Sequence, residues 1–232
     1  MAPPSGRVIE IGAGSGALTG RLLGLELQVT AIEIDPRLAA WLRSTYPQAE
    51  VLEADILELE LRDLAGAGAA VAGNLPYYIT SPILRRIFTA CGAVSAAAVL
   101  VQKEVAARIT AEPGSRDYGY LSVLCQAHGR PRLAFPVPPG AFRPQPKVFS
   151  AFVTLPIEPR WTQWGVEDLE GFLGFARLCF RQKRKTLLNN LQARFGRERL
   201  SDLPECRLRA EQLSPERLAA LWLRLAGKGA EW

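Results

Sequence analysis

Residues 74–82, Asn-Leu-Pro-Tyr-Tyr-Ile-Thr-Ser-Pro, combine polar and aromatic groups at a spacing that suits recognition of a planar base. Asn74 carries a side-chain acceptor and donor, and Pro76 stiffens the backbone because its ring fixes φ and removes an N–H. Acceptors in such a segment can take the two protons of an exocyclic amine while the Tyr77 ring stacks on the base. The same residues are also typical of a plain turn after a strand, and the segment alone leaves both interpretations open.

A glycine-rich turn, Gly12-Ala-Gly14-Ser-Gly16, follows the apolar residues 7–11 and precedes a helical stretch. This order is typical of a nucleotide-cofactor loop, because glycine lets a ligand approach the backbone closely. Glu33 lies 21 residues after Gly12, where an acid binds a ribose diol in dinucleotide enzymes too. The turn therefore does not separate NAD from S-adenosylmethionine, and a tight turn without a ligand is the structural alternative.

Two further carboxylates favour a methyltransferase. Glu10 stands two residues before the first glycine, and Asp55 follows the third predicted strand. A carboxylate at that strand end can accept a hydrogen bond from an adenine amine. The alternative for Asp55 is a simple helix N-cap.

Strand and helix patterns alternate along the first two thirds of the chain. They predict an α/β fold, a doubly wound, mostly parallel Rossmann-like sheet. The predicted strands are residues 7–11, 28–32, 50–52, 69–72, 96–101, 122–127 and 150–155. The predicted helices of this region are residues 17–23, 36–46, 82–90 and 102–110. Ligands of such sheets bind at the carboxyl ends of the strands, where the Gly12–Gly16 turn, Glu33, Asp55 and Asn74 fall.

The composition changes near residue 157, where prolines and tryptophans cluster. We expect an α/β domain at residues 1–157 and a helical domain at residues 158–232, with helical periodicity at 169–195 and 214–225. A basic run lies on the predicted helix, and its positions 177, 181, 184 and 185 would share one face by their three-to-four spacing, either as a solvated face or as a phosphate-binding one. Its members are Arg177, Arg181, Lys183, Arg184 and Lys185.

The composition limits the class of protein. The 28 basic and 23 acidic residues give a net charge of +5, which makes an anionic partner plausible. The four cysteines are far apart and His128 is the only histidine, so we expect reduced thiols and no zinc site. The sequence shows neither a signal peptide nor a long apolar segment, which predicts a cytoplasmic protein.

Taken in order, the motifs resemble those of the S-adenosylmethionine-dependent rRNA adenine N6-dimethyltransferases. The matching segments are Glu10-Ile-Gly-Ala-Gly-Ser-Gly16, Glu33-Ile-Asp35, Asp55 and Asn74-Leu-Pro-Tyr77. Residues 101–106, 139–147 and 180–190 are similar to the small-subunit branch, the KsgA-type enzymes. The resemblance extends from about residue 7 to about residue 223.

The resemblance implies a role for each of these residues. The implied cofactor-binding residues are Glu10, Gly12, Gly14, Gly16, Glu33, Ile34, Asp55, Ile56 and Asn74. The implied catalytic residues are Asn74, Leu75, Pro76 and Tyr77, with Asn74 and the Leu75 carbonyl holding the target amine. The implied substrate-binding residues are Tyr77, Phe142, Arg181, Arg184 and Lys185. For Phe142, an aromatic plug under a proline-rich loop is an equal alternative.

The activity implied is dimethylation of adenine N6 in small-subunit rRNA by a monomer that uses S-adenosylmethionine and no metal. The alternatives are a large-subunit enzyme of the macrolide-resistance type, a non-catalytic RNA-binding assembly or transcription factor, and, more remotely, an NAD oxidoreductase. Family members carry a Gly-Gln-Asn-Phe-like segment upstream of the glycine loop, whereas the first strand here begins at residue 7. On that ground we expect weak cofactor binding and poor turnover from this chain.

Overall fold

The computed structural model describes residues 3–143 and 145–226, which form two compact units. The first unit contains the described residues up to Ala106 together with Arg130–Glu158. The second contains Ala107–Gly129 and the described residues from Pro159 onward. This division differs from the predicted one at residue 157, because residues 107–129 belong to the helical unit.

The first unit is built on a sheet that has seven strands in the described part of the chain, ordered β3-β2-β1-β4-β5-β7-β6. The strands are β1 (Arg7–Ile11), β2 (Gln28–Glu33), β3 (Glu50–Glu53), β4 (Ala69–Asn74), β5 (Val94–Gln102), β6 (Arg132–Val137) and β7 (Ser150–Pro156). The strands β1 to β5 pair in parallel, and β7 is antiparallel to both of its neighbours. The predicted α/β sheet is confirmed.

Five helices alternate with the parallel strands. They are α1 (Ala17–Leu23), α2 (Pro36–Thr45), α3 (Leu61–Ala65), α4 (Thr80–Thr89) and α5 (Lys103–Ile109). The central strands β1 and β4 are almost continuously buried, as expected for parallel strands covered on both faces. A Cβ atom at Gly73 would lie 2.4 Å from the carbonyl oxygen of Ile11. Only glycine therefore lets the carboxyl ends of β1 and β4 come this close.

The strand predicted at residues 122–127 is wrong, because these residues belong to the helix α6 (Tyr120–Ala127). All six are buried, so the segment lacks the polar face that would reveal a helical period. The strand β6 was not predicted. It contains Pro136 and is largely exposed, and proline is tolerated in edge strands of this kind.

The second unit is helical. Beside α6 it contains α7 (Arg160–Gln163), α8 (Leu169–Cys179), α9 (Leu187–Phe195), α10 (Arg197–Ser201) and α11 (Pro215–Ala226). Aromatic rings join the helices: Phe172 of α8 meets Trp222 of α11 edge to face, with ring centroids 6.1 Å apart. No helix among the described residues has the length and apolar character needed to cross a bilayer.

Candidate active site

The glycine loop connects β1 to α1 and has the geometry of a ligand cradle. Gly12, Gly14 and Gly16 all have positive φ, between 58° and 84°. A Cβ atom at Gly14 would meet nothing within 4 Å, and one at Gly12 would lie 3.7 Å from the carbonyl oxygen of Asn74. The loop is therefore open beside Gly14 and adjoins the end of β4 beside Gly12.

Gly16 is required by packing inside the protein. A Cβ atom there would lie 2.3 Å from a ring carbon of Tyr46 and 2.9 Å from a methyl carbon of Leu42. The close contact with α2 explains this glycine without a ligand. Its predicted place among the cofactor-binding residues stays a prediction.

Glu33 is the last residue of β2, and backbone N–H groups of two loops orient its carboxylate. Its Oε2 atom accepts a hydrogen bond from the Gly14 N–H at 2.8 Å, and its Oε1 atom accepts one from the Asp35 N–H at 2.9 Å. A carboxylate has about four acceptor positions, so each oxygen retains capacity for a ligand hydroxyl. A fixed carboxylate beside an open glycine turn fits the ribose of a nucleoside cofactor.

Glu10 points into the protein. Only 2% of its surface is exposed, and its Oε2 atom accepts a hydrogen bond of 2.6 Å from the Thr19 hydroxyl of α1. The pKa of Glu10 is raised from 4.5 to about 7, chiefly by burial; the hydrogen bonds from Thr19 lower it in part, and the nearby Glu33 charge adds a smaller upward effect. The hydrogen bond from Thr19 to Glu10 thus links α1 to β1, the two elements that flank the glycine loop. This placement favours a supporting role for Glu10 over direct contact with a cofactor.

The end of β3 supplies the next carboxylate. Asp55 is partly exposed, and its Oδ1 atom accepts a hydrogen bond from the Leu57 N–H at 2.8 Å, capping the short 3-10 helix Ile56–Glu58. The capping alternative is therefore realised, while the other carboxylate oxygen keeps its acceptor capacity. Ile34 is 65% exposed and Ile56 is buried, so the Ile34 side chain is the one that could contact a flat purine ring.

The Asn74 segment leaves the sheet at the carboxyl end of β4. Asn74 is exposed, whereas the Leu75 side chain is buried and its N–H donates to the Leu100 carbonyl at 3.0 Å. The Pro76 carbonyl accepts from the Ile79 N–H and from the Thr80 hydroxyl, both at 3.2 Å. The turn thus uses the Pro76 carbonyl internally, and the Asn74 side chain is presented to solvent.

Tyr77 lies partly buried at the start of this turn, and its hydroxyl is 2.6 Å from the Ser150 Oγ atom. Ser150 begins β7 and is fully buried. Neither Ser150 nor Thr19 belongs to a sequence motif that would mark it as functional. Tyr77 and Ser150 are 73 residues apart, and no local pattern links them.

Phe142 directly follows the 3-10 helix Pro139–Ala141, and its N–H donates to the Pro139 carbonyl at 3.2 Å. Its side chain is half-buried. Both earlier alternatives for this ring, base stacking and a plug under the loop, remain predictions.

The basic run does not continue along one helix beyond Arg177, so the prediction of a single helical face is wrong. Arg177 is in α8, but Arg181 and residues 183–185 occupy an exposed turn between α8 and α9. The Asn190 side chain holds this turn: its Nδ2 atom donates to the Cys179 and Gln182 carbonyls, and its Oδ1 atom accepts from the Gln182 N–H. These bonds satisfy backbone groups that a continued helix would have paired.

Two members of the basic run have side-chain partners in the helical unit. Lys183 lies 3.7 Å from a carboxylate oxygen of Glu211, and the Arg177 guanidinium stands over the Tyr120 ring. Arg181, Arg184 and Lys185 are exposed on the turn. They form a short cationic loop of the helical unit, and their contact with RNA stays a prediction.

Comparison with known proteins agrees with this geometry. The model of the ribosomal RNA adenine dimethylase family matches residues 3–226. Ribosomal RNA small subunit methyltransferase A of Acidobacterium capsulatum is 44% identical, over 94% of this chain and 81% of that protein. The protein of the same name from Koribacter versatilis is 42% identical, over 94% of this chain and 84% of that protein.

Two solved structures, of an rRNA methyltransferase and of a dimethyladenosine transferase, are also similar to this chain over most of its length. The 23S rRNA methyltransferase ErmE is 30% identical, with a TM-score of 0.70, over 95% of this chain and 91% of that one. A dimethyladenosine transferase from Plasmodium falciparum superposes with a TM-score of 0.78 over 94% of this chain and 89% of that one. Its identity is 24%, so this second likeness concerns the fold.

Proposed function

Because the chain belongs to the ribosomal RNA adenine dimethylase family, we propose that it transfers methyl groups from S-adenosylmethionine to the N6 amines of adenines in small-subunit rRNA. The single observation that carries this proposal is the meeting of the glycine loop with the Asn74 segment: a Cβ atom added to Gly12 would lie 3.7 Å from the Asn74 carbonyl oxygen. It brings a cofactor cradle and an amine-binding segment together at one edge of the sheet.

The first step is binding of the methyl donor, for which the residues present are suitable. Gly12 and Gly14 leave room for a ligand against the backbone, and the fixed Glu33 carboxylate can accept from two ribose hydroxyls. Asp55 can accept from an adenine amine while it caps its helix. When bound, S-adenosylmethionine supplies an electrophilic methyl group on its sulfonium.

The second step is capture of the target adenine. The Asn74 side-chain oxygen and the Leu75 carbonyl accept hydrogen bonds from the two N6–H groups, and the Tyr77 ring stacks on the base. Base stacking on an aromatic side chain contributes about 1–3 kcal/mol. An adenine in a duplex must leave its stack to reach this site, so an unpaired or flipped base is the expected substrate form.

The third step is the displacement. The N6 lone pair is delocalised into the purine ring, and acceptors on both N–H bonds favour a pyramidal nitrogen whose lone pair points away from the ring. Positioning of the two reactants then supplies most of the rate. As the new carbon–nitrogen bond forms, the carbon–sulfur bond breaks, and the sulfur keeps that electron pair and leaves as a neutral thioether. The methylated nitrogen then loses its proton to solvent.

Small-subunit rRNA is proposed as the substrate because the curated relatives carry that specificity in their names. The test is transfer of a radiolabelled methyl group to unmethylated small-subunit particles, with protein-free large-subunit rRNA as the competing substrate. We expect label in small-subunit rRNA, and none with the Asn74→Ala variant. Label confined to large-subunit rRNA would instead assign the activity that ErmE has.

A further inference from the structure

We propose that Ser150 is a positioning residue, whose hydroxyl holds the Tyr77 ring in the orientation that stacks on the target adenine. This inference rests on the proposed function, in which Tyr77 is the stacking ring. Ser150 itself does not touch the reacting atoms. It acts through the 2.6 Å hydrogen bond between its Oγ atom and the Tyr77 hydroxyl.

Ser150 offers a rigid anchor. It is the first residue of β7, where it pairs with Gln102 at the end of β5 on one side and with Val137 of β6 on the other. Pairing on both sides fixes its backbone, and full burial restricts where its hydroxyl can point. A buried hydroxyl requires a hydrogen-bond partner, and the tyrosine provides one.

The two ends of Tyr77 are thereby held separately. The backbone end belongs to the turn closed by the Ile79 N–H on the Pro76 carbonyl, and the far end is bonded to Ser150. Because the hydroxyl lies on the long axis of the ring, the bond fixes the direction of that axis. Without it the side chain could move to another rotamer, and a stacked base would move with it.

A purely structural bond and a positioning bond make different predictions. A neutral hydrogen bond of either kind adds modestly to stability. A positioning bond also changes the rate of methyl transfer, because a displacement of about 1 Å between reactants can cost about a hundredfold in rate. Stability and rate must therefore be measured on the same variants.

The experiment is a double-mutant cycle of Tyr77→Phe and Ser150→Ala, read by single-turnover methylation of small-subunit particles. Each change removes the same bond, so we expect each to slow the reaction by roughly tenfold, and the double variant to be no slower than either. Cofactor affinity should stay at the wild-type value. Ser150→Thr, which keeps a hydroxyl, should restore most of the rate.

Ser95→Ala is the matched control. The Ser95 hydroxyl bonds to the Gly68 and Ala69 carbonyls at 3.1 Å, near the start of β5 and away from the carboxyl edge. Its loss should lower stability as Ser150→Ala does and leave the rate unchanged. A wild-type rate in Ser150→Ala, or additive losses in the double variant, would overturn the positioning role.

A second readout separates this inference from the proposed function. A single-stranded RNA with 2-aminopurine in place of the target adenine reports stacking by fluorescence quenching, without methyl transfer. We expect wild-type protein to quench and Ser150→Ala to quench less. Quenching that depends on Ser150 in a protein that methylates no rRNA would refute the function and keep the inference. Equal quenching by both proteins would refute the inference, and so would the absence of quenching by the wild type.

Discussion

Replacing Glu10 by Gln tests whether the glycine loop is supported by a buried, proton-binding carboxyl group. Gln has the same shape and can still accept the Thr19 hydroxyl bond, but it carries no charge at any pH. Burial raises the pKa of Glu10 from 4.5 to about 7. Since one pKa unit corresponds to about 1.4 kcal/mol, keeping this group ionised in the folded protein costs about 3 kcal/mol.

The direction of the pH effect on stability follows from the linkage between folding and proton binding by Glu10. The folded-state pKa lies above the unfolded one, so the contribution of Glu10 to stability is complete below pH 4.5 and is lost as the pH rises through about 7. Between about pH 5 and about pH 8.5, we expect the wild type to lose roughly 2.5 kcal/mol relative to Glu10→Gln. The free energy of unfolding of Glu10→Gln should therefore rise relative to that of the wild type as the pH increases.

The assay is urea unfolding followed by circular dichroism at several pH values in that window. Glu58→Gln is the control, because Glu58 is solvent-exposed and its exchange should leave the pH dependence of the wild type in place. Parallel pH profiles for the wild type and Glu10→Gln would show that ionisation of Glu10 does not destabilise the folded protein. They would mean that the Glu10 charge is solvated or paired in the folded protein.

Three further predictions concern binding and turnover. Glu33→Ala should weaken S-adenosylmethionine binding, measured by calorimetry, by about 1.5–3 kcal/mol for each charge-assisted bond lost, and unchanged affinity would contradict the ribose assignment. Asn74→Ala should abolish methyl transfer with little change in Tm, because its side chain is exposed; retained activity would exclude it from amine capture. Changing Arg181, Arg184 and Lys185 to Glu should weaken RNA binding and flatten its salt dependence by about one slope unit per lost phosphate contact, with cofactor affinity as the unaffected control. An unchanged slope of RNA affinity against salt concentration would show that the turn is a solvated surface that does not contact phosphates.

Local signals were enough to predict the carboxyl edge of the sheet. The glycine turn directly follows an apolar strand, and Glu33 and Asn74 each end one, so their place at the strand ends can be read from neighbouring residues. The family, the α/β fold and the methyl donor follow from the same ordered motifs. The family, the fold and the methyl donor are confirmed. They could be predicted because each strand, turn and motif lies within a few residues of the next.

Features that depend on distant residues could not be predicted in this way. The basic turn is held by Asn190, whose amide makes the hydrogen bonds that end the helix. Residues 122–127 of α6 are all buried and show no exposed polar face, so their sequence looks like that of a strand. The inward direction of Glu10 and the bond between Tyr77 and Ser150 likewise arise from packing between separate elements.

The central claim is that this site methylates adenine N6 in small-subunit rRNA. The most direct measurement is incubation of unmethylated small-subunit particles with the protein and S-adenosylmethionine, followed by nuclease digestion and mass mapping of the modified nucleotides. We expect N6,N6-dimethyladenine at defined positions, and none with Asn74→Ala. Unmodified adenines after wild-type treatment, or methyl groups on another atom or base, would contradict it.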